Sequence, residues 1–184
     1  MGPLDSSEFS ANIPMVDFGS ILVPDRPDIA KRVEFDDAGQ IVALTLELNY
    51  STLQLQAFAA PRNEGLWHEV RNQLKASVSA QGGDAQFTVG AFGPELLAHL
   101  PVLDNQGQKV ATRTDRFIGL DGPRWFLKGI VRGAAVRDSL SAADLDDLFR
   151  SLVVVRGETP LPPGDMLPLV VPAGAIPAGF RSIL

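Results

Sequence analysis

The stretch from residue 113 to residue 133 constrains the fold most, because alternating side chains flank a turn sequence. It reads R-T-D-R-F-I-G-L-D-G-P-R-W-F-L-K-G-I-V-R-G. The glycine and the proline of residues 121–124 favour a tight reversal of the chain. Alternation of apolar and polar residues on either side is typical of half-buried strands. The stretch therefore predicts an antiparallel hairpin in the middle of a sheet.

Each position of this hairpin has an expected role. In the turn, Asp121 is suited to accepting backbone N–H hydrogen bonds and Gly122 to an unusual φ. After the turn, Trp125, Leu127 and Val131 fall on one face of the strand. The opposite face receives Arg124, Phe126, Lys128, Ile130 and Arg132. Because this second set is half apolar, we expect both faces of the hairpin to be partly covered.

Other segments show the same alternation and predict further strands. Residues 41–48 give the clearest pattern, and residues 29–35, 53–61 and 84–93 give weaker ones. Residues 94–103 are mostly apolar and fit either a strand or a single helical turn. Such alternation predicts a meander of antiparallel strands with one polar face.

Two segments change to the helical period. In the first, apolar residues recur at helical spacing between residues 66 and 78, with Asn63 as the expected N-cap and Gly82 and Gly83 as the stop. In the second, Ser141 is the expected N-cap. Its expected buried stripe is Leu145, Leu148, Phe149 and Leu152. The order of elements predicts an α+β fold, a mostly antiparallel β-sheet with two main helices packed on one face.

The remaining segments flank a single expected domain at residues 13–158. Residues 1–12 read as a cloning leader or a disordered N-terminus. Residues 159–184 contain six of the fourteen prolines, which is incompatible with a helix or a central strand. Because this proline-rich tail is also apolar, we expect it to lie in extended form on the body of the domain or on a partner.

Composition narrows the classes of function. The 184 residues include no cysteine, which excludes disulfides and thiolate chemistry, and the two histidines, His68 and His99, lack metal-site spacing. No phosphate-binding glycine motif is present, so we expect neither a metal nor a cofactor. No apolar run is long enough to cross a bilayer. These features favour a cytoplasmic protein.

Charge is unevenly distributed in a chain with a net charge of −6. Residues 109–137 carry seven bases against two acids, whereas residues 1–47 carry nine acids against three bases. Bases and aromatic residues interleave in the hairpin, as they do on surfaces that stack nucleobases. Two interpretations stay open: a solvated sheet face, and a site for an anion, an acidic partner or a single-stranded nucleic acid.

The sequence D-G-P-R-W-F-L-K-G at residues 121–129, with R-F-I-G at residues 116–119, resembles the signature of an actinobacterial family of unknown function. The resemblance extends from residues 17–19 to residues 162–163. It implies a bacterial, cytoplasmic protein and brings no established activity, cofactor or catalytic residue. The order of elements is also similar to that of small α+β domains related to type III secretion chaperones and YbjN-like proteins.

These observations favour a non-enzymatic module, chaperone-like or regulatory, that binds a protein partner or itself as a homodimer through the second face of the sheet and the tail. The expected interaction surface consists of Arg116, Asp121, Arg124, Trp125, Phe126, Lys128 and Arg132. A first alternative is the binding of an anion or a single-stranded nucleic acid by the bases between residues 113 and 132. A second alternative is an enzyme with an unrecognised site near Asp121 and Arg116.

Overall fold

A seven-stranded sheet forms the centre of the protein in the computed structural model, which describes residues 2–10 and 12–173. Its strand order is β4-β5-β6-β10-β9-β8-β7, and all neighbours are antiparallel. The strands are β4 (Ala30–Phe35), β5 (Ile41–Leu48), β6 (Ser51–Ala59), β7 (Asp84–Gly90), β8 (Gly93–Leu103), β9 (Lys109–Gly122) and β10 (Trp125–Gly133). The predicted α+β class is confirmed, and residues 94–103 form a strand rather than a helical turn.

The predicted hairpin is the β9–β10 pair at the middle of this sheet. Trp125 pairs with Gly122, so Pro123 and Arg124 form the two-residue turn. The positive φ of the turn belongs to Arg124, at 64°, and not to Gly122 as expected. Gly122 has another reason to be glycine, because a Cβ there would overlap the indole ring of Trp125.

Helix α1 (Trp67–Ala80) packs over β7, β8 and β9. It begins four residues after Asn63, so the predicted cap is wrong, and the residue before the helix has no side-chain cap of its own. Its end agrees with the prediction, because Gly82 adopts a φ of 75° and the N–H of Gly83 donates to the carbonyl of Val78.

Helix α2 (Ser139–Arg150) follows a 3₁₀ turn at Ala134–Val136. Its N-cap is Asp138, whose carboxylate accepts a hydrogen bond of 2.8 Å from the backbone N–H of Ser141. Ser141 is therefore the donor at this end of the helix, which corrects its expected role as the cap. The predicted buried stripe is confirmed, with Leu145, Leu148, Phe149 and Leu152 all in the core.

The two helices lie over opposite faces of the large sheet, which corrects their expected placement on one face. Alternation along β10 explains the difference. Trp125 and Leu127 join the core cluster that contains Leu145 of α2, whereas Phe126 joins the cluster that contains Trp67 of α1. Each face of the hairpin is apolar enough to bury one helix, whereas the second face was expected to meet the tail or a partner.

A small sheet completes the core beneath α2. Its order is β1-β11-β3-β2, with β1 (Leu4–Asp5), β2 (Met15–Asp17), β3 (Ile21–Pro24) and β11 (Val153–Val154). Strand β1 pairs in parallel with β11, and the buried carboxylate of Asp5 accepts a 2.7 Å hydrogen bond from Nε1 of Trp125. Leu4 and Asp5 therefore belong to the folded body, although residues 1–12 were expected to lie outside it.

The described part of the proline-rich tail continues the sheets. Leu167 donates its N–H to the carbonyl of Ala57 and is itself buried, and an isolated bridge joins Met166 to Phe58. A second bridge joins Leu169 to Gly19. The contacts with Ala57 and Phe58 lie beyond Leu55, the last residue of β6 that pairs with β5. The rest of the predicted tail, residues 174–184, lies outside the described residues.

Candidate functional site

Two of the aromatic residues expected at an interaction surface are core residues. Trp125 and Phe126 are both 1% exposed. Trp125 packs among the small sheet and α2, and the ring of Phe126 stacks on Trp67 with centroids 5.8 Å apart. Neither ring is available to a partner of the folded protein, because each face of β10 is covered by its own helix.

Arg116 is mostly covered, with a side chain 12% exposed, and two carboxylates neutralise it. Its guanidinium binds Glu95 through two nitrogens, at 2.7 and 2.8 Å, and Asp146 of α2 at 2.9 Å. Burial alone would lower the pKa of Arg116, but the hydrogen bonds that it donates to Glu95 and Asp146 raise that pKa above its usual value. This triad ties α2 to the sheet and leaves no net positive charge for a ligand.

Arg113 and Arg132 share one buried acid, Asp115, on the face of the sheet opposite to that of Arg116. Oδ1 of Asp115 accepts from Nε of Arg113 at 3.0 Å and from Nε of Arg132 at 2.9 Å. Lys128 lies on the same face, 5.5 Å from the ring centroid of Phe58, and burial lowers its pKa. The bases of the hairpin therefore lie on two faces of the sheet and do not form one cationic platform.

Arg124 and Asp121, both near the tip of the hairpin, also lie in different surroundings. Arg124 is exposed at the tip of the hairpin. Asp121 reaches the start of α1, where its Oδ1 accepts a 2.7 Å hydrogen bond from the backbone N–H of Leu66. Asp121 thus lies on the α1 side and Arg116 on the α2 side, so the structure does not bring together the pair suggested for an unrecognised enzyme site.

A cavity of about 410 Å³ lies between the β7–β8 hairpin and the start of α2. Arg116, Glu95 and Asp146 line it, together with the exposed Arg137. The three inner charges satisfy one another. The cavity is thus lined by a structural ion triad.

Two exposed apolar residues lie on β7, an edge strand of the large sheet. Phe87 is 47% exposed and Val89 is 85% exposed, and both point to the α1 side. The only charged residue of β7 is Asp84 at its start. The pairing of β7 with β8 runs without a bulge from Asp84 to Gly90. The outer side of β7 therefore offers a regular row of backbone hydrogen-bonding groups.

The opposite edge of the same sheet differs in its charge and in the regularity of its pairing. Strand β4 carries Lys31, Arg32 and Glu34 among its six residues, and its register shifts between Glu34 and Phe35. Charges and bulges are the usual devices by which proteins prevent strand addition at an edge. Strand β4 therefore carries charges and a register shift that oppose strand addition, whereas β7 has one charged residue and a regular register.

Sequence reasoning identified the alternation of Phe87 and Val89 but not their place at an edge. The order of strands depends on long-range pairing, which periodicity does not encode. The same reasoning missed Arg71 and Lys75, because the stripe of α1 on which they lie is ordinary for a solvated helix. Both side chains stand over the ring of Phe87.

Metal and membrane sites find no support in the described part of the chain. Residues 2–10 and 12–173 contain no group of three or more histidines and carboxylates that could hold a metal ion. The two histidines contact other side chains: His99 contacts the hydroxyl of Thr114, and His68 contacts Arg71 and Asn72. None of the described helices is long and apolar enough to cross a membrane.

A family model described as "Protein of unknown function (DUF3710)" matches residues 2–177. No curated protein and no solved structure matches the chain. The predicted membership in a family of unknown function is therefore confirmed. The actinobacterial origin and the likeness to secretion chaperones stay predictions. The chain belongs to the DUF3710 family.

Proposed function

We propose that this protein is a non-enzymatic, cytoplasmic interaction module that binds an extended segment of a partner protein beside β7. The segment would extend the seven-stranded sheet by one strand. The observation that carries the proposal is the unprotected edge of β7, with Phe87 and Val89 exposed on its α1 side. Binding of extended segments suits a chaperone-like or regulatory role.

Strand addition requires backbone groups and side-chain contacts, and β7 has both. Main-chain hydrogen bonds to an edge strand supply affinity, and alternate side chains supply specificity. The seven residues of β7 match the common length of a strand. Phe87 and Val89 would cover apolar side chains of the added segment on the α1 side, while Gln86 and Thr88 line the other face.

The experiment is a selection of displayed random peptides on the immobilised chain. Wild type should enrich peptides that bind reversibly in solution. Val89→Lys places a charge on the open edge, so this variant should lose the enriched peptides. Val110→Lys is the matched control, because Val110 is an exposed valine at 62% on the distant end of β9.

Each outcome of the selection has a definite meaning. Peptides that bind wild type and Val110→Lys but not Val89→Lys support the proposal. Peptides that bind all three proteins equally contradict it, because their site cannot be β7. A complete failure to enrich any peptide also counts against it.

A further inference from the structure

Two cations of α1 stand over one ring at the open edge. The Cζ of Arg71 lies 4.9 Å from the ring centroid of Phe87, and the Nζ of Lys75 lies 4.6 Å from the same centroid. Residues 71 and 75 are four apart, so their side chains leave the helix on the same side. Both charges therefore border the face on which an added strand would place every second side chain.

Arg71 is buried without an anionic partner. It is 9% exposed, and its Nε has no hydrogen-bond partner. Its Nη2 lies 3.4 Å from Nδ1 of His68, and no ion pair among the described residues includes Arg71 or Lys75. Buried charges are normally paired, because an uncompensated one is costly. Arg116, whose side chain is 12% exposed, differs from Arg71 because it pairs with two carboxylates.

We propose that Arg71 and Lys75 bind a carboxylate side chain of the segment that β7 accepts, so that the partner strand is acidic at one position. This inference rests on the strand addition proposed above. A residue directly opposite Phe87 on a neighbouring strand would have its Cβ about 4.5–5.5 Å from that of Phe87. An aspartate or glutamate there meets both cations, and a guanidinium can bind a carboxylate through two nitrogens.

Charge also distinguishes this occupant from a second copy of the chain. Antiparallel pairing of two β7 strands about Phe87 would bring the Arg71 and Lys75 of each copy toward those of the other. The only acid of β7 is Asp84, at the end of the strand rather than at its middle. Like charges placed opposite each other destabilise a strand pair. A partner segment with an acidic residue is therefore favoured over self-association.

The test uses the peptides selected on the full chain. Those that depend on the β7 edge should share an aspartate or glutamate at a fixed position. Replacing that residue by the matching amide should weaken binding to wild type by about tenfold or more, because a hydrogen bond to a charged group is lost. The same replacement should change binding to the double variant Arg71→Met/Lys75→Gln by less than about twofold. Lys128→Gln, which alters the lysine over Phe58, is the matched control and should keep the preference for acid.

Stability separates a binding role of Arg71 from a structural one. Methionine keeps much of the apolar contact with Phe87 and removes an unpaired buried charge. Arg71→Met should therefore unfold at the same denaturant concentration as wild type or at a higher one, while the preference for acid is lost. If Arg71→Met does not fold, Lys75→Gln alone carries the test, and it should reduce the preference in the same direction.

Several results would overturn the inference while leaving strand addition intact. One is a set of edge-dependent peptides without a shared acid, and another is an acid-to-amide change that wild type does not sense. A dimer of the wild-type chain that Val89→Lys dissociates would show that the occupant is a second copy. Peptides insensitive to Val89→Lys would instead overturn the strand addition itself.

Discussion

Asp121 Oδ1 lies 2.7 Å from the backbone nitrogen of Leu66, across 55 residues of sequence. The same carboxylate also accepts from the backbone N–H of Trp67, at 3.3 Å. Helix α1 thus receives its N-terminal cap from the end of β9 in the central hairpin rather than from its own preceding residues. This contact fixes α1, and with it Arg71 and Lys75, relative to the sheet.

Removal of this cap should weaken the fold measurably. We expect Asp121→Ala to lower the free energy of unfolding by about 1 kcal/mol, because two backbone N–H groups at the start of α1 lose their acceptor. Asp37→Ala, in the exposed turn before β5, is the control and should change it by less than about 0.5 kcal/mol. Urea denaturation followed by circular dichroism measures both values. Equal losses in the two variants would show that the contact does not stabilise α1.

The hairpin turn should respond in opposite directions at two positions. Arg124 has a φ of 64°, which costs a non-glycine residue energy, so Arg124→Gly should raise the free energy of unfolding by about 0.5 kcal/mol. Gly122→Ala should lower it, because the added methyl group overlaps the ring of Trp125. Thermal denaturation of the two variants checks the signs. A stabilised Gly122→Ala would contradict the described turn.

The ion triad of Arg116 should be far more important for stability than the half-exposed pair beside it. Arg116→Met leaves the buried carboxylates of Glu95 and Asp146 without a cation, and we expect a loss of about 3–5 kcal/mol. Arg113→Met is the control on the same strand, where Arg132 still pairs with Asp115, and it should cost less than about 1 kcal/mol. Chemical denaturation of both variants compares them. Similar costs would mean that α2 is held by apolar packing alone.

Asp5 gives the fold a specific dependence on acid. Burial would raise the pKa of Asp5, but hydrogen bonds from Ser7 and Trp125 outweigh it and hold that pKa below its ordinary value of 3.8. A carboxylate with a lowered pKa in the folded state stabilises the fold above the unfolded value, and this contribution is lost as the pH falls through the folded pKa. The advantage of wild type over Asp5→Asn should therefore be constant near about pH 6 and shrink below about pH 3.8. Denaturation curves at several pH values measure it, and an advantage that grows in acid would contradict this role.

Local patterns predicted the parts of the fold that local forces determine. The β9–β10 hairpin follows from alternation around a turn, and the buried stripe of α2 follows from apolar residues at helical spacing. The parallel pairing of Leu4 and Asp5 with β11 could not be predicted, because two residues have no period. The separation of the hairpin's bases could not be predicted either. Whether an arginine pairs with Glu95 or shares Asp115 with Arg132 depends on strand register and on the position of α2.

The β7 edge that carries the proposed function could not be predicted either, because it too depends on long-range pairing. Val89 and Phe87 look like core residues when only their alternation is known. Their exposure follows from the order of strands, which ends the sheet at β7. Arg71 is unremarkable as a helical arginine until the structure shows that it is buried and lacks a carboxylate.

Amide hydrogen exchange across Asp84–Gly90 tests the central claim most directly. It is measured on the free chain and on the chain bound to a selected peptide. The account predicts that every second amide of β7 exchanges more slowly when the peptide is bound, because alternate N–H groups of an edge strand point outward. Unchanged exchange along β7, or protection confined to another part of the chain, would contradict strand addition at this edge.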